Sequence, residues 1–331
     1  ITENDFLDSK SVLVTAGTST PGWIINNILE KLYTINFKKS NIFVKAIMSL
    51  LQFVVRTNLF SSISAFFITL IALSYVGIHD NYSFPVVSFL YIFSMYSINN
   101  YFEKDLLKLS NPYKYDIYAQ YGRALLIISL ASMALSIYIT SRHGLYITSI
   151  VIGAYLLGFL YSTEPFKGLV TKFMPELLRK IYHSKIVACF GWIIITIIVP
   201  MVGTNVSISA LATLSLFVFA LIFLRTALLD LIAFQGDLIL GRETLPVLIG
   251  ARAISILSVG ISITSILIFA IITILYHHWI YLALLPAILF YLVLIYLVQR
   301  LNYLISLKYE LLVDMNLLFI IVCYFLIRAV L

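Results

Sequence analysis

The sequence predicts an all-α membrane protein: about nine transmembrane helices in a bundle with two four-helix pseudo-repeats, plus a short soluble N-terminal stub. Three observations carry this. Of the 331 residues, 61% are apolar and only 11% charged, against roughly a quarter charged in a soluble domain. Apolar windows of about 20 residues, the length needed to cross a bilayer, recur along the chain. The basic residues fall almost entirely on one side of the resulting map. Continuous apolar runs, rather than alternating ones, exclude spanning strands.

The stub, residues 1–40, comes first. Val12 to Val14 reads as a short strand, Gly17 to Thr20 as a small polar turn, and Pro21 as the first turn of a helix through Trp23, Ile28 and Leu29. A strand, turn and helix start in this order is able to hold phosphate on free backbone N–H groups. The chain begins with Ile and shows no signal-peptide pattern, so a longer native protein is expected.

Spans are expected near 57–77, 84–101, 122–141, 144–162, 184–202, 207–228, 253–276, 278–298 and 313–331. With the N-terminus inside, six basic residues (Lys10, Lys31, Lys38, Lys39, Lys45, Arg56) precede or open the first span. Lys104, Lys108, Lys114 and Arg123 follow the second, and Lys167, Lys172, Arg179, Lys180 and Lys185 follow the fourth. Arg225, Arg242 and Arg252 are assigned to the sixth, and Arg300 and Lys308 to the eighth. Only Arg142 and Arg328 fall opposite. This positive-inside bias predicts a multi-pass inner or plasma membrane protein with a cytoplasmic N-terminus. The net charge of +7 then reads as topology and contact with the lipid bilayer, not as a nucleic-acid surface. Cys189 and Cys323 lie inside spans and read as buried apolar packing. His143, His277 and His278 fall on the outer side, away from the acidic stretches.

Carboxylates at a membrane edge are costly and therefore informative. The second span closes with SINNYFEKDLLKLSNPYKY, residues 97–115, where Asn99 and Glu103 are four apart and share a helix face. The sixth closes with LRTALLDLIAFQGDLILGRETLPVLIG, residues 224–250, where Asp230 and Asp237 are two turns apart on one face. Both ends face the cytoplasm, and each span is second in a run of four. Packed face to face, such halves would point both acidic ends into one cavity. Hard oxygen ligands there suit Mg²⁺, which bridges to phosphate oxygens, and the chemistry this serves is diphosphate departure.

Two resemblances sharpen the expectation. Asp230, Gly236, Asp237, Gly241, Thr244, Leu245 and Pro246 resemble the second signature of the UbiA-type intramembrane prenyltransferases, with Ala233 in place of its middle aspartate. Asn99, Asn111 and Pro112 resemble the first signature, in which Asn100, Glu103 and Leu107 stand where its three aspartates belong and Lys114 stands for the usual arginine. The resemblance, over residues 41–331, implies transfer of an isoprenoid chain from an allylic polyprenyl diphosphate donor to a hydrophobic acceptor of aromatic or lipid type. It implies Mg²⁺ held by Asn99, Glu103, Asp230 and Asp237, which are also the catalytic set. It gives Lys114, Lys167, Lys185, Arg242 and Tyr161 as diphosphate contacts, at a cytoplasmic active site. The departures at Leu107, Ala233 and Glu103 motivate the alternative, a catalytically impaired membrane protein of the same fold. VLVTAGTSTPGWIINNIL in the stub closely resembles the C-terminal end of 4-hydroxy-3-methylbut-2-enyl diphosphate reductase, with Ser19 at that family's diphosphate-contacting serine. Residues 1–35 are thus expected to be the tail of an upstream reductase domain, which would join precursor synthesis to prenyl use in one native chain.

Overall fold

A computed structural model describes residues 12, 14, 28, 32, 42–79, 81–105, 107, 111–162, 186–239, 241, 244–276, 279–300 and 306–330. The stub's expected strand, phosphate turn and Ser19 therefore lie outside the described residues, Val12 and Val14 excepted.

Every described element is helical. In chain order they are α1 (Ile42–Arg56), α2 (Leu59–Tyr75), α3 (Ser83–Phe102), α4 (Pro112–Ser141), α5 (Leu145–Ser162), α6 (Ile186–Met201), α7 (Ile208–Ile239), α8 (Leu245–Ile249), α9 (Ala251–Tyr276), α10 (Leu285–Arg300), α11 (Ser306–Asp314) and α12 (Asn316–Val330). A 3-10 turn, Trp279–Leu284, leads into α10. Helices occupy all nine stretches in which spans were expected. By length and composition five described helical stretches are able to cross a membrane: Lys114–Ser141, Ile208–Phe234, Ala251–Leu275, Trp279–Val298 and Glu310–Ala329. The bent pair α1–α2 raises this to six.

Local chemistry explains the boundaries. Asn111 caps α4, its side chain accepting the Lys114 N–H at 3.1 Å, and Pro112 occupies the first turn, where its missing N–H costs nothing. The Asn-Pro pair thus opens a helix as well as ending the preceding turn. Between α1 and α2 the chain bends by 68° at Asn58, which takes the left-handed conformation (φ 59°), one that Asn tolerates better than most residues. In α6 the helix widens into a π turn over Ile194–Ile198, just ahead of Pro200. A proline there removes the N–H that Thr196 would otherwise receive. Next to it, the Ser88 hydroxyl of α3 donates to the Ile195 carbonyl at 3.2 Å and receives a bond from Thr69 of α2 at 2.8 Å.

The helices close into a ring. α2 packs on α3, α3 on α4, α4 on α5, α5 on α6, α6 on α7, α7 on α9, α9 on α10 and α10 on α12, and α12 returns to α2. Phe217, Leu221, Leu224, Ile288 and Ile295 fill the interior, with Cys189 and Cys323 both buried. Outward-facing Ile127, Leu157, Ile208, Ile274 and Phe325 are exposed, an apolar exterior that only lipid solvates well. Small hydroxyl residues at the contacts are buried and bonded across helices, as membrane interfaces favour. Tyr155 shares its hydroxyl with Ser94 of α3 at 3.0 Å and with Ser136 of α4 at 2.8 Å.

Two helices exceed the roughly 30 Å hydrocarbon thickness. At 1.5 Å per residue, α7 (32 residues) is about 48 Å long and α4 (30 residues) about 45 Å. The apolar part of α7 runs over Ile208–Phe234, so the helix is longer than a bilayer crossing requires.

Candidate functional site at one end of the bundle

Three contacts identify the end at which the polar segments gather. The Lys114 ammonium, in the first turn of α4, donates to Asn58 Oδ1 at the start of α2, 3.2 Å away. Asn111 Nδ2 donates to Glu310 Oε1 of α11 at 2.7 Å. Asn100 Nδ2, in the last turn of α3, donates to the Tyr118 hydroxyl of α4 at 3.2 Å. The start of α2, the end of α3 and the starts of α4 and α11 are therefore together.

The end of α7 joins them. Arg225 of α7 donates to Ser61 Oγ, three residues past Asn58, at 2.9 Å. Ser61, Ser64 and Ile68 of α2 line one small cavity with Arg225, Ile222 and Leu221 of α7. The two helices therefore run antiparallel, and α7 beyond Arg225 continues past the start of α2. Asp230 and Asp237 follow at about 7 Å and 18 Å along that axis. Both are only 2% exposed, which a carboxylate accepts only with partners or ligands to compensate desolvation.

Of the residues expected to form the site, Asn99, Glu103, Lys114, Asp230 and Asp237 thus share one end. Asn99 lies in the last turn of α3 and Glu103 at its C-cap, with the Glu103 N–H bonded to the Asn99 carbonyl at 2.9 Å. The same i to i+4 pattern continues from Leu107 to Glu103 and from Asn111 to Leu107, so Asn99 and Glu103 keep the shared face. Tyr161 sits in the last turn of α5, its side chain outside the described residues; Lys167, Lys185 and Arg242 are outside them altogether.

Two substituted motif positions have structural occupations. Asn100 tethers α3 to α4 through Tyr118. Leu107 is buried and packs with Tyr118 and Leu125. Arg225 differs from its expected role as a topology-setting cytoplasmic charge. It is largely enclosed, 14% exposed, in a 2.8 Å ion pair with the buried Asp314. Its position within an apolar span was the available signal, since an intramembrane charge seeks a partner. Ser97, Asn58, Tyr118, Glu310 and Asp314 carry no such signal. Each is an ordinary polar residue in sequence, and only packing brings it to this end.

Among the described residues, the buried Asn99 Oδ1 and Thr244 Oγ1 at or beside the site have no hydrogen-bond partner, while Ser97 and Asn58 turn toward the Tyr118 hydroxyl. Each unpartnered atom costs about 1–3 kcal/mol when withheld from water, a cost that a polar ligand at this end would offset. Thr244 caps α8 immediately after the α7 end, where Gly241 turns the chain with φ 64°.

Two solved structures share the architecture. A UbiA homolog from Archaeoglobus fulgidus bound to DMAPP and Mg²⁺ superposes with a TM-score of 0.55 at 15% identity, covering 85% of this chain and all of that one. The same homolog bound to GPP and Mg²⁺ gives 0.52 at 12% identity, covering 82% and 99%. No family model matches the sequence, and neither does any curated protein. At these identities the likeness is one of fold.

The residues present fit a magnesium ion in the manner this ion prefers. No group of three His, Cys, Asp or Glu side chains converges among the described residues, so a protein-only cage is not built there. Mg²⁺ generally takes one or two carboxylates and completes its shell with water and substrate phosphate. Asn99 Oδ1, which has no partner among the described residues, and the Asp230 and Asp237 carboxylates are hard oxygens of that kind.

Proposed function

We propose that this protein transfers an isoprenoid chain from an allylic diphosphate to a hydrophobic acceptor of aromatic or lipid type, releasing diphosphate. The observation that carries the reading is the pair of buried carboxylates, Asp230 and Asp237, two turns apart on one face of α7. They stand where that helix leaves the apolar bundle, at the same end as Asn99 and Glu103. The shared fold with a protein bound to prenyl diphosphates and Mg²⁺ supports it. On this reading the nine helical stretches are nine spans in two four-helix halves plus a last helix, with the acidic end and the N-terminus cytoplasmic.

Asn99, Glu103, Asp230 and Asp237 would hold Mg²⁺, whose charge offsets that growing on the departing diphosphate. The chain's own donors orient the phosphates: the Lys114 ammonium, Thr244 Oγ1, Ser97 Oγ and Asn58 Nδ2, with Lys167, Lys185, Arg242 and Tyr161 as further contacts. The allylic C–O bond breaks with its electron pair leaving on diphosphate, and the acceptor's nucleophile takes the carbon. Fixed donors aimed at the charge that develops, in surroundings poor in water, are the main source of rate in such a step. The stub, as the tail of an upstream reductase, would place precursor synthesis in the same polypeptide.

The experiment is diphosphate release from DMAPP or GPP by membranes containing the protein, with and without Mg²⁺. Turnover that Asp237→Ala abolishes is the expected result. No turnover with either donor, or turnover untouched by that change, overturns the reading. The conversion of Leu107 to packing and of Asn100 to a tether favours a second reading, a membrane protein that keeps the fold without catalysis; it expects no thermal stabilisation by Mg²⁺ with a diphosphate analogue.

A further inference from the structure

The contacts around the acidic end form a closed circuit. On α2, Asn58 and Ser61 are three residues apart on one face; on α4, Asn111 and Lys114 are likewise three apart; on α11, Glu310 and Asp314 are four apart. Lys114 joins α4 to Asn58, Asn111 joins α4 to Glu310, and Arg225 of α7 joins both Asp314, through Nε and Nη2 at 3.0 and 2.8 Å, and Ser61. Four helices distant in sequence are thereby locked through seven side chains. The Asn100–Tyr118 bond adds α3 as a spur. The circuit ties both acid-bearing ends, that of α3 with Asn99 and Glu103 and that of α7 with Asp230 and Asp237, to one frame.

The Arg225–Asp314 pair is the link that stability alone does not explain. Apolar residues of similar volume usually replace a buried ion pair at no cost, whereas removing one partner strands a charge. Beside the pair lies a cavity of about 10 Å³ lined by Ser64, Trp192, Tyr291 and Asn316, room for one water-sized group, too little for an isoprenoid or its acceptor. The pair therefore sits in packed interior, about a turn and a half below Asp230. Both Arg225 Nε and Nη2 bond one carboxylate oxygen while Nη2 also reaches Ser61, which fixes the guanidinium plane and with it the rotation of α7.

We propose that Arg225 and Asp314 are positioning residues whose circuit sets the rotation and spacing of the α7 acids against the α3 acids. The proposal rests on the prenyl-transfer reading only for what the acids act upon. A site that must bridge two helix ends through phosphate and metal tolerates little looseness in their separation.

The test compares Arg225→Met, Asp314→Leu and the double variant in lipid nanodiscs. Two readouts accompany thermal unfolding: kcat and KM for diphosphate release, and the distance distribution between spin labels on Asp105→Cys and Leu238→Cys, both at exposed positions. Native Cys189 and Cys323 are buried. Each single variant is expected to unfold earlier. The double variant is expected to regain the parent's thermal stability, yet to show a label distribution at least two-fold broader and a kcat at least ten-fold lower, with KM changed less. A double variant with the parent's sharp distribution makes the pair merely structural and overturns the proposal. Should the double variant fail to fold, Ser61→Ala with Glu310→Gln opens or weakens the circuit at two other links. The same broadening is expected there, and a sharp distribution again overturns the proposal. The spin-label readout needs no turnover, so a parent that releases no diphosphate but responds as described sinks the reaction and leaves the positioning role standing.

Discussion

Leu107→Asp puts back, at the residue where the first prenyltransferase signature carries an aspartate, the acid this chain lacks. If the position faced an open metal site, the change would add a ligand and strengthen Mg²⁺ binding. In the structure Leu107 is 8% exposed and packs with Tyr118, itself 2% exposed, and Leu125. Losing a buried leucine side chain from that contact costs about 2–3 kcal/mol. Placing a carboxylate without a partner beside two buried side chains adds at least another 1–3 kcal/mol, or raises its pKa until it protonates. The expected sum is a loss of roughly 3–6 kcal/mol, at the upper end for a single substitution. Thermal or denaturant unfolding of the purified protein in one fixed detergent, with and without Mg²⁺, measures it. A variant as stable as the parent, or one that Mg²⁺ stabilises more than it does the parent, would refute the claim that this position has become packing.

Other outcomes are expected at neighbouring positions. Asp230→Asn keeps the volume but removes the charge, and should reduce diphosphate release at least a hundred-fold while abolishing stabilisation by Mg²⁺ with a diphosphate analogue. Lys114→Met should raise KM for the donor more than it lowers kcat, and should flatten the salt dependence of KM, because the ammonium holds ground-state phosphate charge. Tyr118→Phe leaves Asn100 Nδ2 without its 3.2 Å acceptor and should cost about 1 kcal/mol in unfolding experiments. Ser88→Ala releases the Ile195 carbonyl of the π turn, with a loss of about 0.6–1.7 kcal/mol measured the same way.

Much of the molecule was legible in sequence for a simple reason. Burying an apolar run of 20 residues in lipid is a one-dimensional property: it needs no partner to be recognised, so the helical stretches and the acidic ends of α3 and α7 fell where hydropathy put them. The seven-residue spacing of Asp230 and Asp237 likewise fixed their common face once α7 proved continuous. The helix itself runs on to Ile239, past the apolar stretch, because its backbone hydrogen bonds need no apolar side chains.

Tertiary structure decided what the polar residues do. Arg225, Asn100 and Leu107 have no fixed role in a linear reading: the first became half of a buried pair with Asp314, 89 residues away, the second a tether, the third packing. Hydrogen bonds and desolvation act over a few ångströms between residues that the chain separates by dozens of positions. Residue spacing within one helix therefore determined which side chains share a face, and only the closing of the helices into a ring determined which faces meet.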